Sequence, residues 1–395
     1  MANKVLITTS TYPRWEGDST TMFVKDLAEH VVTSGWATEV LAPHYKGAKQ
    51  RETVNGVNVT RFRYFWPYSQ EDIVYEGGGV NKVSKSPMYA LKLGLLFLSL
   101  TWSTFIRSTR SKSTVINPHW IIPQGFAAVI VKLITGKRVV LTVHGSDINE
   151  LTGGFFTLLK KFTLKHSDEV CVNSTDTLER CLEVCRREYT LIPMGLNEAF
   201  IESGSTKTKH KDDSSTTSLL FVGRLAEVKG VTYLLDGLRK LSDEGVNFKA
   251  TIVGDGPQRE MLEDKARDYG LETVVHFAGW VVPQKLGAYY ESHDVFVGPS
   301  LKDAQGIVFV EALAKGLPVI ASNVGGIPDV VDSTNGILVE PKNADQLASA
   351  IKTITDPSSL NTLHRNISNM DLGRYAWPHI SEKYVAVYDS ATKGA

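Results

Sequence analysis

Short apolar runs alternate along this chain with longer stretches in which every third or fourth residue is apolar. "KVLITT" precedes "TTMFVKDLAEHVVTSG", where Phe23, Leu27 and Val31 recur at helical spacing and Gly35 ends the pattern. "TEVLAPH", "VNVTRFRYF", "TVINPHW", "RVVLTVHG" and "DEVCVNS" predict further strands. The rhythm pauses after Pro193, and residues 202–218, "ESGSTKTKHKDDSSTTS", predict an exposed polar loop or linker. It restarts with "LLFVGR", "FKATIVGDG", "VVHFAGW", "DVFVGPS", "PVIAS" and "GILVE", with helical patterns between them. Such alternation predicts parallel sheets covered on both faces. Two blocks of it predict an α/β chain of two doubly wound, Rossmann-like domains, residues 1–200 and 218–375, facing across a cleft. The final segment, about 376–395, predicts an amphipathic helix carrying Trp377, Ile380, Tyr384 and Tyr388, suited to pack back onto the first domain. Ligands of open α/β sheets bind at the carboxyl ends of strands, so the loops that follow strands are where chemistry is expected.

Composition narrows the class. With 395 residues, 42% apolar and 22% charged, the chain has the make-up of a soluble globular protein with room for two cores. Its start reads as a first strand rather than a signal peptide. Three cysteines, Cys171, Cys181 and Cys185, are too few and odd in number for a disulfide scaffold and point to a reducing, cytoplasmic setting. Cys181 and Cys185 lie four apart, but no His or Asp cluster joins them, so buried thiols are expected rather than a metal site. The net charge of zero hides an asymmetry: residues 1–200 hold 23 Lys and Arg against 18 Asp and Glu. No carboxylate occurs between Glu76 and Asp147, an interval with nine basic residues. A surface of that sign suits an anionic partner. Within the interval, "PMYALKLGLLFLSLTWSTFI" (87–106) is the most apolar stretch, and its uncharged part, Leu93 to Ile106, is 14 residues long. That is short of the ~20 a spanning helix needs. Two readings stay open: a core helix, or an interfacial helix that, with the flanking Lys82, Lys85, Arg107, Arg110 and Lys112, docks residues 82–112 on an anionic inner-membrane face. No stacking aromatics interleave the basic residues as in a recognised nucleic-acid module, so no nucleic-acid partner is expected.

Four loops of the second half carry candidate chemistry. "FVGRLAEVKG" sets Arg224 just past a strand and Lys229 before a helix; a planar fork and a point charge together suit a diphosphate, and surface salt bridging is the plainer alternative. "VGDGP" (253–257) marks a sharp turn. "AGWV" (278–281) ends a strand on Trp280, which borders a nucleobase or is simply packed. In "DAQGIVFVEALAKGLPV" (303–319), a turn at Gly306 followed by a helix puts Asp303 in the preceding loop and Glu311 about a turn inside. The backbone N–H groups of Gly306 and Ile307 then point between two carboxylates, a place for a phosphate and neutral hydroxyls. The alternative is that Asp303 caps the helix and Glu311 is an exposed helix residue.

Together, "GRLAEVKG", "VGDGP" and "DAQGIVFVEALAKGLPVIASNVGGIPDVV" resemble the donor half of the family-4 retaining glycosyltransferases of the GT-B fold. "TYPRWEGDSTTMFVKDLAEHV", "PHWIIPQG", "VHGSD" and "VNSTDTLERCLE…LIPMGLN" resemble that family's acceptor half in the same order, so the likeness runs over nearly the whole chain. It implies a transferase moving a sugar from a nucleotide diphosphate sugar to a glycan or lipid-linked saccharide. Arg224 and Lys229 are then implied to grip the diphosphate, Glu311 the ribose hydroxyls and Asp303 the transferred sugar, with Gly306 and Ile307 at the phosphates. Gly17 and Asp18 are implied to approach the donor phosphate, and His144 to lie beside the sugar. The resemblance further implies a same-face displacement in which the departing diphosphate takes the acceptor's proton. No Asp-x-Asp metal signature follows a strand, and cationic side chains can replace a divalent ion, so no metal or other cofactor is expected. Asp303 and Gln305 depart from the family pattern, which usually has Glu and an apolar residue there. Two other readings share the fold: a nucleotide-sugar epimerase, which would need more acid/base carboxylates around the sugar, and a catalytically silent subunit.

Overall fold

The computed structural model describes residues 3–18, 20–75, 87–197, 200 and 216–393. The chain forms two compact units, Met1–Gly195 with Trp377–Ala395, and Leu196–Ala376. The first division therefore falls after Gly195, five residues before the expected end of the first domain.

In the first unit the order is β1 (Lys4–Thr8), α1 (Met22–Thr33), β2 (Ala37–Pro43), β3 (Arg51–Val54), β4 (Val57–Phe62), α2 (Pro87–Arg110), β5 (Val115–Pro118), α3 (Phe126–Thr135) and β6 (Arg138–Val143). The single turn α4 (Ser146–Asn149), α5 (Gly154–His166), β7 (Glu169–Val172), α6 (Thr175–Val184) and β8 (Thr190–Leu191) follow. The strands make one eight-stranded sheet, β3-β4-β2-β1-β5-β6-β7-β8. Only β3 runs antiparallel, joined to β4 by a tight turn at Asn55 (φ 48) and Gly56 (φ 81). Asn-Gly suits a two-residue hairpin because both positions need positive φ. Strand order reverses between β1 and β5, which makes the ends of these strands the switch point of this sheet.

The second unit runs β9 (Thr217–Val222), α7 (Val231–Asp243), β10 (Phe248–Val253), α8 (Arg259–Asp268), β11 (Val275–Gly279), α9 (Pro283–Ser292) and β12 (Val295–Gly298). Then come α10 (Ile307–Ala314), β13 (Val319–Ser322), β14 (Gly336–Val339), α11 (Ala344–Thr355) and α12 (Pro357–Ser368). Its six strands are in the order β11-β10-β9-β12-β13-β14, all parallel, with the reversal between β9 and β12. Thr217 and Ser218 belong to β9, so the sheet claims the last two residues of the expected linker; residues 202–215 of it lie outside the described residues. Separate apolar clusters pack the two faces of this sheet.

The last helix, α13 (Trp377–Lys393), belongs to the first unit. It packs beside α1 on one sheet face, where Trp377, Ile380, Tyr384 and Tyr388 join Val5, Ile7 and Val40 in one cluster. The opposite face is covered by α2, α3 and α5, tied by a run of aromatic rings from Phe97 through Phe126 to Phe162 with centroids 5.6 and 5.9 Å apart. Helix α2 is core along one stripe only. A stripe at every fourth residue, Lys92, Leu96, Leu100, Thr104 and Ser108, is buried, and the Lys92 ammonium reaches Asp72 at 2.9 Å. Its outward stripe, Met88, Leu91, Leu98 and Trp102, is exposed. Lys82 and Lys85 lie outside the described residues.

Candidate functional site

The second unit gathers its candidate residues where strand order reverses. β9 and β12 are neighbours, so the loops that leave their carboxyl ends are held against each other. Gly230 (φ +66) closes the β9 loop so tightly that a Cβ there would sit 2.0 Å from the Pro299 carbonyl oxygen, and Leu301 N–H donates to the Val228 carbonyl at 2.8 Å. The β10 turn is stitched to the same loop: Leu225 N–H donates to the Asp255 carbonyl at 2.9 Å. In this scaffold Lys229 Nζ donates to Asp303 Oδ2 at 2.6 Å. The plainer reading of Lys229, an ion pair, thus holds for this state, and its partner is the very carboxylate singled out in the sequence. Arg224 is exposed, and among the described residues its guanidinium has no partner.

Asp303 is not a helix cap. Gly306 occupies the N-cap of α10 in the left-handed conformation (φ +73) and, having no side chain, supplies no capping hydrogen bond. A Cβ at Gly306 would meet Phe309 Cδ2 at 2.3 Å, so glycine is required at this N-cap and the first turn of α10 starts without a side-chain cap from it. Ile307 opens the helix. Glu311 is not a freely exposed helix residue either: Tyr290 donates its hydroxyl to Glu311 Oε2 at 2.7 Å. Burial pushes the Glu311 carboxyl up to about 7, against the lowering effect of that hydrogen bond. Trp280, just past β11, is 61% exposed and so is not a core residue. Lys229, Asp303, Gly306 and Ile307 are therefore brought together with Arg224 on adjoining loops, with Glu311 one turn inside α10. Tyr290 was not legible as part of this cluster, because "GAYYESHD" offers no signal that separates it from Tyr289.

The first unit has its own cluster at its own switch point. On the β1 loop Gly17 (φ +83) is exposed, and Asp18 accepts from Arg14 Nε at 2.7 Å and from the Thr20 hydroxyl at 2.7 Å. Burial pushes the Asp18 carboxyl up, and these hydrogen bonds more than offset it, holding it well below the usual carboxylate range. The Arg14 guanidinium lies over the rings of Trp15, Tyr45 and Tyr75 at 4.4, 4.7 and 5.3 Å, so Asp18 orders its own loop. His144 is buried beyond β6, and its Nε2 lies 2.9 Å from His119 Nδ1 beyond β5. Both rings are neutral: burial lowers His144 to about 3, and burial with the neighbouring His144 holds His119 well below the usual histidine value. Among the described residues, His144 Nδ1 and His119 Nε2 are buried without a partner. Asp147 clamps the two histidine loops, accepting from Ile121 N–H at 2.8 Å and His144 N–H at 3.0 Å. His119 was missed as a site residue. The signal was there: "NPHW" and "LTVHG" each place a histidine just past one of two strands that prove to be neighbours.

Two successive doubly wound units, each with polar and charged residues collected at strand ends, define a two-domain ligand-binding α/β protein. Comparison with known proteins makes the class specific. Residues 20–195 match the family described as "Glycosyl transferase 4-like domain", and residues 204–370 match "Glycosyl transferases group 1". The chain belongs to the family-4 glycosyltransferases of the GT-B fold and is a transferase. It is 27% identical to the uncharacterized glycosyltransferase MJ1607 of Methanocaldococcus jannaschii, over 98% of each chain. Among solved structures it resembles a sucrose-phosphate synthase from Thermosynechococcus elongatus (TM-score 0.79, 21% identity, all of both chains). It also resembles Anabaena HepE in complex with UDP and glucose (TM-score 0.72, 18% identity, 98% of this chain and 100% of that one).

Proposed function

We propose that this glycosyltransferase moves a hexose from a nucleotide diphosphate sugar to a hydroxyl of a glycan or lipid-linked saccharide, with retained anomeric configuration and without a metal ion. The observation that carries the reading is the cationic cluster where the second sheet's strand order reverses: Arg224, without a partner among the described residues, Lys229 steered by Asp303, and the first turn of α10 with glycine at its N-cap. A helix N-terminus and two cations of different geometry answer the charge of a diphosphate. Glu311, with one carboxylate oxygen held by Tyr290, keeps the other for ribose hydroxyls. The complex of HepE with UDP and glucose supports a nucleotide sugar as the donor class.

In this reading the acceptor oxygen bonds to the anomeric carbon as the carbon–oxygen bond to the diphosphate breaks. The acceptor's proton passes to the departing phosphate oxygen. Negative charge grows on the leaving group in that step, and Arg224, Lys229 and the α10 terminus stabilise it; losing one such donor typically costs ~10²–10³ in rate. His144, Gly17 and Asp18 of the first unit serve the transfer step in the same reading.

The test is thermal stabilisation across UDP-, GDP- and ADP-sugars with chelator present. A donor at about 100 times its Kd adds about 2.7 kcal/mol to stability. One nucleotide class is expected to raise the Tm, and Arg224→Ala and Glu311→Ala are expected to abolish the shift. No shift with any donor, or a shift that both variants retain, overturns this placement of the site. Nuclear magnetic resonance of the product's anomeric proton checks retention.

A further inference from the structure

We infer that the outward face of α2, α3 and α5 is a docking surface for an anionic lipid membrane. These three helices pack side by side over one face of the first unit's sheet. Each leaves large apolar side chains uncovered: Leu98 (63% exposed) and Trp102 (65%) on α2, Leu133 and Ile134 on α3, Phe155 and Leu158 on α5. Scattered single apolar residues on a surface are ordinary, whereas a set shared by three adjoining helices marks an interaction face.

The charge of the face selects the occupant. None of the three helices contains an Asp or Glu. Arg110, Lys112, Lys161 and Lys165 are exposed and make no ion pair among the described residues. The other cations there are already neutralised or buried: Lys132 pairs with Asp168 at 2.8 Å, and Lys160 donates to the Ile148 carbonyl at 2.8 Å. Carboxylates return on α6, with Asp176, Glu179 and Glu183, so the patch has an edge. A second copy meeting this face with itself would bring two cationic patches together, because a two-fold contact uses the same patch on both subunits. Apolar side chains ringed by unpaired cations fit the boundary between acyl chains and anionic headgroups, where the former insert and the latter are attracted. The surface is wider than residues 82–112, since α3 and α5 extend it, and it is independent of the donor site.

Co-sedimentation of the full-length chain with vesicles tests it. Binding is expected to phosphatidylcholine vesicles containing phosphatidylglycerol, weakening as salt rises, and to be marginal with phosphatidylcholine alone. The exposed-site double variant Leu98→Glu/Trp102→Glu, and separately Lys161→Glu/Lys165→Glu, are each expected to weaken it by roughly tenfold or more. Both variants are expected to keep the wild-type Tm and the donor-induced thermal shift, so failure here is distinguishable from failure of the glycosyl-transfer reading. Absence of binding to anionic vesicles, or equal binding by the variants, overturns the inference. So does a dimer in light scattering that Leu98→Glu/Trp102→Glu converts to monomer, which would assign the face to a second copy.

Discussion

At the scale of single residues, burial decides which charge states the two clusters can hold. His119 and His144 fold as neutral rings, with pKa values below that of an unfolded histidine. The native state therefore binds fewer protons than the unfolded chain below about pH 6.5, and stability present above that pH is lost as pH falls, by about 1.4 kcal/mol per unit for each ring. Asp147, pushed up to about 6 by burial, acts in the opposite direction between about 4 and 6. The difference between wild type and His119→Gln isolates the His119 contribution, since His144 remains. Denaturant midpoints at pH 7.5 and 5.5 should lie closer together for His119→Gln than for wild type; the same separation in both would mean that His119 is solvated and protonated in the folded state. Glu311, raised to about 7, opposes stability as pH rises from about 4.5 toward 7, and Glu311→Gln should flatten that slope. Of these side chains, Glu311 and His144 were legible from motif position. Tyr290 and Arg14 were not, since a hydrogen bond from another helix or a cation over three rings has no linear signature.

At the scale of elements, hydrophobic period was a sufficient guide wherever an element has one buried side. α13 shows its four expected residues inside the core, and α1 buries Leu27 and Val31 as its spacing required. Phe23 is the exception: it is only partly buried, its ring 4.9 Å from that of His144, so it serves the histidine cluster more than the core. The short edge strand β3 lacks a buried face, reading "RETV", and was overlooked even though Asn55-Gly56 announces a hairpin. α10 is the element on which the proposed function turns, and its start depends on Gly306. Ala in that position would pay about 1–2 kcal/mol for left-handed backbone and would also push Phe309 away. Gly306→Ala should therefore lower the Tm of the second unit and remove donor-induced stabilisation. An unchanged donor shift would show that the first turn of α10 does not receive the phosphates.

At the scale of the whole molecule, the chain leaves the first unit at Gly195 and re-enters it at Trp377, and both units mark those points. Within the second, Leu196 N–H donates to the Tyr375 carbonyl at 2.7 Å. Within the first, the Trp377 ring lies so close to Gly195 that a Cβ there would meet it at 2.3 Å. α13 is thus a structural part of a unit whose sheet was completed nearly two hundred residues earlier, and Tyr388 fixes it by donating its hydroxyl to Asn117 Oδ1 at 2.8 Å. Burying each of Trp377, Ile380, Tyr384 and Tyr388 is worth about 1.5–3 kcal/mol, and a domain holds only about 5–15 in total. Removing Trp377–Ala395 should therefore unfold the first unit. The second unit keeps its own sheet and both of its apolar clusters. Limited proteolysis of the truncated chain should leave a protected fragment spanning Leu196–Ala376 and digest the rest. If residues 1–195 stay equally protected, the face beneath α13 is stable without it and the helix is an accessory rather than part of that core.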